Sequence, residues 1–271
     1  MQILTPTEKD KDIYSQIDEK LESYCEMSLH QKLFLVQLIN EHKPKKLLEL
    51  GVSAGGSSAV MLNTIKNIPD AKLYSLDYAK KYYKDENKLS GWIVEERFPR
   101  LTTNWKLYRG GVISNYIDEI GGEIDFCLLD TRHIKPGEIL DFLMIFPYLK
   151  KNAVVVFHDI ALHLGTPTNF HADCNCTLFS AIKGKKLLPI YDSVTIKVPN
   201  IGAVILADDI KDNIFDVFNT LLLHWHYRLK DEDYRVILNS FERHYDEKFV
   251  NIFKYAKQIN HERLESKEVK K

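Results

Sequence analysis

The sequence predicts a doubly wound α/β fold built on a mostly parallel, seven-stranded sheet. Five short apolar runs without polar alternation are separated by segments with helical spacing, and they cover residues 47–52, 73–76, 105–108, 124–129 and 153–157. Such runs are typical of strands covered by helices on both faces, and the strand–helix–strand rhythm indicates parallel pairing. Two later runs, 187–198 and 201–206, are joined by Pro199-Asn200 and predict an antiparallel hairpin at the sheet edge.

Helical patterns flank this core at both ends of the chain. Apolar residues recur at helical spacing before residue 42, and near the C-terminus they form one stripe: Leu238, Phe241, Tyr245, Phe249, Ile252, Ala256 and Ile259. We therefore expect N-terminal helices packed on the core (1–42), a ligand-binding core domain (43–207) and a C-terminal helical extension (208–271). The stripe is expected to pack on its own domain more readily than on a partner, with a homo-oligomer through the C-terminal helix as the alternative.

The charge balance argues against a function based on global electrostatic attraction. With 37 basic and 38 acidic residues the formal net charge is −1, so we expect no nucleic-acid partner. The N-terminus becomes charged before any apolar stretch of signal-peptide length, and no run approaches the roughly 20 apolar residues that a membrane helix needs. These observations predict a cytoplasmic protein with no membrane span.

A glycine-rich loop follows the first predicted strand of the core, with the sequence Glu49-Leu50-Gly51-Val52-Ser53-Ala54-Gly55-Gly56. Asp77 ends the second strand about 20 residues further on, where an acid can accept both ribose hydroxyls of an adenosine. The dinucleotide fingerprint Gly-x-Gly-x-x-Gly fails at Ser53, and Glu49 would repel a pyrophosphate. S-adenosylmethionine carries an ammonium and a sulfonium that an acid attracts, so the charges favour this cofactor over NAD.

These motifs resemble those of class I S-adenosylmethionine-dependent methyltransferases. Glu49-x-Gly51-x-x-x-Gly55-Gly56 followed by Asp77 is similar to their first two motifs, and residues 124–133 resemble their fourth strand. Residues 153–160, ending in Phe157-His158-Asp159-Ile160, resemble the fifth strand of the branch called methyltransferase family 24. The resemblance covers roughly residues 30–207 and implies a Rossmann-like methyltransferase fold. It also implies a cofactor site formed by Glu49, Gly51, Ser53, Gly55, Ser57, Asp77 and Asp130, with Ser57 donating to the methionine carboxylate.

Ionisable residues follow the fourth and fifth predicted strands. In metal-dependent O-methyltransferases of the catechol type, an aspartate and an Asp-Asn pair at these positions bind a divalent cation, and a lysine acts as base. Asp130 and Asp159 match the aspartates and His133 takes the place of the lysine, but Ile160 replaces the asparagine. The resemblance therefore implies a site for Mg²⁺ or Mn²⁺ made by Asp130, Asp159 and His158. Without a metal, His133 or His158 is the expected general base, acting beside Asp130.

The function expected from this resemblance is methyl transfer to a hydroxyl of a small molecule or sugar, such as a surface polysaccharide or its precursor. The polar, aromatic segment 79–92 after the second strand is expected to form a lid beside the adenosine. A methyltransferase-fold protein that binds S-adenosylmethionine or S-adenosylhomocysteine without catalysis, in a partner or assembly role, is the alternative. An NAD-linked oxidoreductase is disfavoured by Glu49 and by the incomplete glycine fingerprint.

Overall fold

The computed structural model describes residues 1–21, 24–165, 167–190, 198–209 and 214–268. Within these residues the strands are β1 (Gln2–Leu4), β2 (Lys46–Leu50), β3 (Lys72–Asp77), β4 (Lys81–Tyr82), β5 (Asp85–Leu89), β6 (Trp105–Arg109), β7 (Ile124–Leu129), β8 (Leu149–His158), β9 (Gly184–Pro189) and β10 (Ile201–Leu206). The helices are α1 (Glu8–Ser15), α2 (Asp18–Leu21), α3 (Leu29–His42), α4 (Gly56–Ile65), α5 (Trp92–Arg97), α6 (Ile117–Ile120), α7 (Gly137–Ile145), α8 (Cys174–Ala181), α9 (Ile214–Thr220), α10 (Asp231–His244) and α11 (Glu247–Glu268). None of the helices in this described part is long and apolar enough to cross a membrane.

Eight of the described strands form one sheet in the order β1-β9-β10-β8-β7-β2-β3-β6. The strands from β8 to β6 in this order run parallel, whereas β10 is antiparallel to both of its neighbours. The predicted fold class is therefore confirmed, and the predicted antiparallel pair is formed by β9 and β10. Residues 191–197, in the first run of that predicted pair, lie outside the described residues. A separate antiparallel hairpin, β4–β5, occupies the segment predicted as a lid.

The sheet contains one strand in addition to the predicted seven. β1 pairs in parallel with β9, with Ile3 opposite Leu188, so β1 covers the hairpin and becomes the sheet edge. A strand of three residues is too short to show a period in the sequence, and its partner lies far along the chain. This is why the N-terminal region was expected to contain helices alone.

The central strands bury opposite faces under two groups of helices. Because successive strand residues point to opposite sides, Leu47 and Phe126 join a core with α1, α3, α4 and α5. Leu48 and Cys127 join the other core, which is covered by α7 to α11. Each large apolar side chain buried in this way contributes about 1.5–3 kcal/mol, so both terminal helical regions are part of what stabilises the sheet.

The C-terminal apolar stripe lies on two helices, not on one. α10 ends at His244 and α11 begins at Glu247, and the stripe continues across this break. Phe241 and Ala256 are fully buried in the core that covers α7, and Ile252 packs against it. These residues of the stripe therefore pack on their own chain, and the homo-oligomer through the C-terminal helix stays an untested alternative.

Candidate functional site

A cavity of about 570 Å³ opens at the carboxyl ends of β2, β3 and β7. Gly51, Asp77 and Asp130, which follow these three strands, all line it. The chain runs from β2 outward to β6 on one side and from β7 outward on the other, so the cavity lies at the point where the strand order reverses. Open α/β sheets bind their ligands at such points. Two segments from outside the core, residues 24–27 and 227–230, complete the wall.

The glycine loop brings the end of β2 against the end of β7. Gly51 has a left-handed backbone (φ 90°), and a Cβ atom there would lie 1.8 Å from the backbone oxygen of Asp130. Only glycine fits this approach. Of the residues predicted to bind the cofactor, Gly51, Ser53 and Ser57 line the cavity, whereas Gly55 (φ 100°) faces Gly91.

Glu49 is fully buried beneath this loop. Its Oε1 accepts a hydrogen bond from Ser57, and its Oε2 accepts from Ser58 and Ser75, each at 2.6 Å. Burial raises the pKa of the Glu49 carboxyl to about 7, against the opposing effect of these three hydrogen bonds. Glu49 does not line the cavity, so the structure does not bring it to the expected methionine end of a cofactor. Ser57 lines the cavity and its hydroxyl donates to Glu49, so its contact with the methionine carboxylate stays a prediction.

Asp77 ends β3 and connects it to the glycine loop. Its Oδ2 accepts hydrogen bonds from the backbone N–H groups of Val52 (3.1 Å) and Ser53 (2.8 Å). Its Oδ1 accepts from the N–H of Ala79 at 2.8 Å. Each carboxylate oxygen has further acceptor capacity, so Asp77 can also accept from the hydroxyls of a bound ribose. The side chain therefore stabilises the loop and stands where the ribose contact is predicted.

Four residues at the ends of β7 and β8 form an acid–imidazole cluster, which consists of Asp130, His133, His158 and Asp159. His158 Nδ1 lies 3.1 Å from Asp130 Oδ1 and 3.5 Å from Asp159 Oδ2. His133 Nε2 lies 3.5 Å from Asp159 Oδ2 and 4.0 Å from Asp130 Oδ1. His133 and Asp159 both have left-handed backbones, a strained conformation that concentrates at functional sites. The structure thus brings together the residues that the sequence selected separately.

The two histidines of the cluster have different access to the cavity. His133 lines it, with 28% of its side chain exposed, whereas His158 is 5% exposed and does not line it. Burial lowers the pKa of His158, but the charges of Asp130 and Asp159 outweigh this and raise it well above its ordinary value. Burial opposes ionisation of Asp159, yet His158 and a hydrogen bond from Asn200 hold its pKa below the ordinary value. The two carboxylates therefore favour the protonated form of the buried His158, whereas His133 is the imidazole that lines the cavity.

The arrangement of donor atoms fits a divalent cation at a set of residues that differs from the predicted one. Ligand atoms of Asp130, His133 and Asp159 all lie within 4.8 Å of one another. His133 thus takes the place expected for His158, because His158 is turned toward Gln31 and Asp130. Two carboxylates with one imidazole suit Mn²⁺ better than Mg²⁺, which prefers oxygen ligands.

Two further residues at the site were not predicted. Asp141 on α7 lines the cavity, accepts a hydrogen bond from Thr131 (2.7 Å) and has a pKa that burial raises to about 7. The sequence feature that could have indicated it is an acidic residue among apolar residues of a predicted helix. Asn200, which directly precedes β10, donates a hydrogen bond to Asp159 Oδ1 at 2.6 Å. No local pattern connects that residue to β8.

Comparison with known proteins agrees with this geometry. Residues 48–160 match the model of methyltransferase family 24, described as a methyltransferase domain. No curated protein sequence matches the chain.

The solved structures that resemble the chain include S-adenosylhomocysteine-bound PaMTH1, a methyltransferase of Podospora anserina, which has 16% identity and a TM-score of 0.52 and aligns over 77% of this chain and all of its own. An O-methyltransferase from Bacillus cereus in complex with S-adenosylhomocysteine has 14% identity and a TM-score of 0.51, over 74% of this chain and 92% of its own. TomG of Streptomyces achromogenes, an O-methyltransferase of tomaymycin synthesis in complex with S-adenosylmethionine, has 17% identity and a TM-score of 0.50, over 74% and 91%. Identities this low show a shared fold. The family model matches the segment that carries most of the motifs, residues 48–160, and the solved structures share the Rossmann-like methyltransferase fold, so the resemblance inferred from the motifs is confirmed.

Proposed function

We propose that this chain transfers a methyl group from S-adenosylmethionine to a hydroxyl of a small molecule, with a sugar, such as a surface polysaccharide or its precursor, as the first candidate acceptor. The observation that supports this most is the acid–imidazole cluster, which stands at the same cavity as Gly51 and Asp77. Two proteins of this fold were solved with such a ligand: TomG with S-adenosylmethionine and the Bacillus cereus protein with S-adenosylhomocysteine. The sugar and the cytoplasmic location remain predictions from the sequence.

Methyl transfer to a hydroxyl needs an aligned acceptor and a group that removes its proton. His133 suits this role because it lines the cavity and its Nε2 faces Asp159 at 3.5 Å. A neutral imidazole can take the proton, and the imidazolium that forms is stabilised by the adjacent carboxylates. Proton transfer of this kind typically accelerates a reaction by about 10²–10⁴-fold.

His158 acts through Asp130 in this proposal and does not touch the acceptor. Its Nδ1 holds Asp130 Oδ1 at 3.1 Å, and the backbone oxygen of His158 accepts a hydrogen bond from Asn175 at 2.7 Å. These contacts fix the orientation of Asp130 at the mouth of the cavity. Asp130 is thereby available to contact either the cofactor or a bound cation.

A divalent cation, if one is used, would be held by Asp130, His133 and Asp159. Bound there, it would lower the pKa of an acceptor hydroxyl and so favour its ionised form. His133 Nε2 cannot ligate a cation and accept a proton at the same time. The metal-assisted and metal-free versions of the proposal therefore assign His133 different roles.

Calorimetric titration of S-adenosylmethionine, S-adenosylhomocysteine and NAD into the whole chain tests the cofactor. We expect both adenosyl ligands to bind and NAD to give no heat of binding. Repeating the titrations with Mg²⁺ or Mn²⁺ measures any contribution of a metal. Binding of NAD in preference to the adenosyl ligands would refute the proposal and revive the oxidoreductase alternative.

Release of S-adenosylhomocysteine during incubation with a panel of sugars and other hydroxyl compounds tests the reaction. We expect His133→Asn to lower turnover by about 10²-fold or more while cofactor binding is retained. His30→Asn is the matched control, because His30 is an exposed histidine away from the cavity. Cofactor binding without turnover on any member of the panel would favour the alternative, a methyltransferase-fold protein with a partner or assembly role.

A further inference from the structure

The C-terminal region contributes part of the cavity wall although it lies outside residues 48–160, the segment that matches the methyltransferase family. Residues 227–230 line the cavity together with Asp233 and Ile237 from the first half of α10. Leu229 and Ile237 are 8% and 1% exposed and belong to the core that also contains α7. The segment is therefore anchored in the protein interior while its polar residues face the rim.

Three contacts join this segment to opposite sides of the cavity. On the β3 side, the Tyr78 hydroxyl donates a hydrogen bond to Asp233 Oδ2 at 3.0 Å, and the Lys230 ammonium lies 5.0 Å from the centre of the Tyr78 ring. On the β7 side, the Arg132 guanidinium lies 3.9 Å from the centre of the Tyr227 ring. The segment consequently spans the gap between the loops that follow β3 and β7.

We propose that residues 227–233 form a cover over the adenosine end of the cofactor site, and that the hydrogen bond from Tyr78 to Asp233 is the latch that holds it closed. This inference rests on the proposed function, because it takes S-adenosylmethionine as the ligand. Tyr78 directly follows Asp77, the residue placed at the ribose, so the latch lies next to the adenosine. Residues 79–92, the lid expected from the sequence, begin immediately after Tyr78.

The chemistry of the latch suits a contact that opens and closes. Asp233 is a carboxylate acceptor, which strengthens the hydrogen bond, but Tyr78 is 43% exposed, so water competes for both partners. Asp233 also lies in the first turn of α10, where a negative charge is stabilised by the helix dipole. The bond is strong enough to favour the closed cover and weak enough to break during exchange of the cofactor.

A latch and a ligand contact differ in their kinetic effects. The bond between Tyr78 and Asp233 joins two parts of the chain across the cover, so it opposes entry and exit of a ligand alike. Removing it raises the rates of association and dissociation by similar factors and leaves the dissociation constant nearly unchanged. Removing a direct contact with the cofactor would raise the dissociation rate alone and weaken binding.

The test is stopped-flow measurement of S-adenosylhomocysteine association and dissociation with the full chain and the variants Tyr78→Phe and Asp233→Asn. We expect both rate constants to rise about threefold to tenfold, with the dissociation constant unchanged within about twofold, as the loss of one partly exposed hydrogen bond predicts. Asp231→Asn is the matched control, because it removes a charge from the same helical turn without touching the cavity. We expect it to behave like the wild type.

Four results would overturn the inference. Unchanged rates in both variants would show that no latch operates, and a faster dissociation alone would identify a contact with the cofactor. An equal rise of both rate constants in Asp231→Asn would show that a loosened α10, and not the loss of the latch, causes the rise. If the wild type itself fails to bind S-adenosylhomocysteine, both the proposed function and this inference fail. If the wild type binds it and the two variants keep the wild-type rate constants, only the latch is rejected.

Discussion

The buried carboxyl of Glu49 makes the stability of this protein depend on pH in a direction opposite to that of most carboxylates. Burial raises its pKa from the ordinary 4.5 to about 7 in the folded chain. Between these values the unfolded chain has lost a proton that the folded chain retains, so stability is fully present below about pH 4.5 and falls as the pH rises to about 7. One pKa unit corresponds to about 1.4 kcal/mol, so the total loss is about 3 kcal/mol.

Substituting Glu49→Gln tests this reasoning because glutamine keeps the shape of the side chain and cannot ionise. The free energy of unfolding is measured by urea titration for both proteins from about pH 5 to about pH 8. We expect the glutamine variant to gain about 2–3 kcal/mol relative to the wild type over this range. Asp141, whose pKa is also raised to about 7, is present in both proteins, so its contribution cancels.

The matched control is Glu86→Gln, which changes an exposed glutamate on the β4–β5 hairpin. The free energy of unfolding of this variant is expected to stay within about 0.5 kcal/mol of the wild-type value at every pH, as is usual for surface substitutions. A pH-independent difference between the wild type and Glu49→Gln would mean that Glu49 ionises normally in the folded chain. The serine hydroxyls would then have to stabilise its charge enough to offset the whole cost of burial.

The remaining predictions concern the loop above Glu49 and its ligand. Asp77→Ala should weaken S-adenosylhomocysteine binding by about 1–3 kcal/mol in calorimetry through lost hydrogen bonds, and unchanged affinity would mean that the ribose lies elsewhere. Gly51→Ala should destabilise the chain by more than about 2 kcal/mol in urea unfolding, since its Cβ would lie 1.8 Å from a backbone oxygen, whereas Gly122→Ala, with no atom within 4 Å, should not. Binding of S-adenosylmethionine near pH 7 should release protons, because a nearby cation lowers the pKa of Glu49. The calorimetric enthalpy should then vary with the ionisation enthalpy of the buffer, and Glu49→Gln should reduce this dependence to the share that Asp141 contributes.

The strands and the site residues that follow them could be predicted because their signals are local. The run 124–129 coincides with β7, and Asp77 ends β3 as expected. In a parallel sheet the carboxyl ends of neighbouring strands meet at one edge, so residues placed just after strands must converge. Motif spacing and one rule of topology therefore sufficed to assemble Gly51, Asp77 and Asp130 around one cavity.

The cavity wall could not be predicted in the same way because it depends on contacts between distant parts of the chain. Residues 24–27 and 227–230 reach the cavity from the two terminal helical regions, and Tyr78 bonds to Asp233 across 155 positions. Neither segment carries a pattern that indicates a ligand. Helical periodicity showed that these regions would pack on the sheet, but it does not determine which residues lie at the edge where the site is.

The surroundings of the two histidines could not be predicted from residue type alone. Both lie at or just after a strand end and near an aspartate, and the sequence predicted each as a base and only His158 as a metal ligand. His158 is the last residue of β8, paired with Ile201 of β10, and the ladder directs its side chain toward Gln31 and Asp130 in the interior. His133 lies in a loop whose left-handed backbone (φ 63°) lets its ring face the cavity. Access to the cavity thus follows from backbone geometry, and this is why we propose His133 as the base and give His158 the role of orienting Asp130.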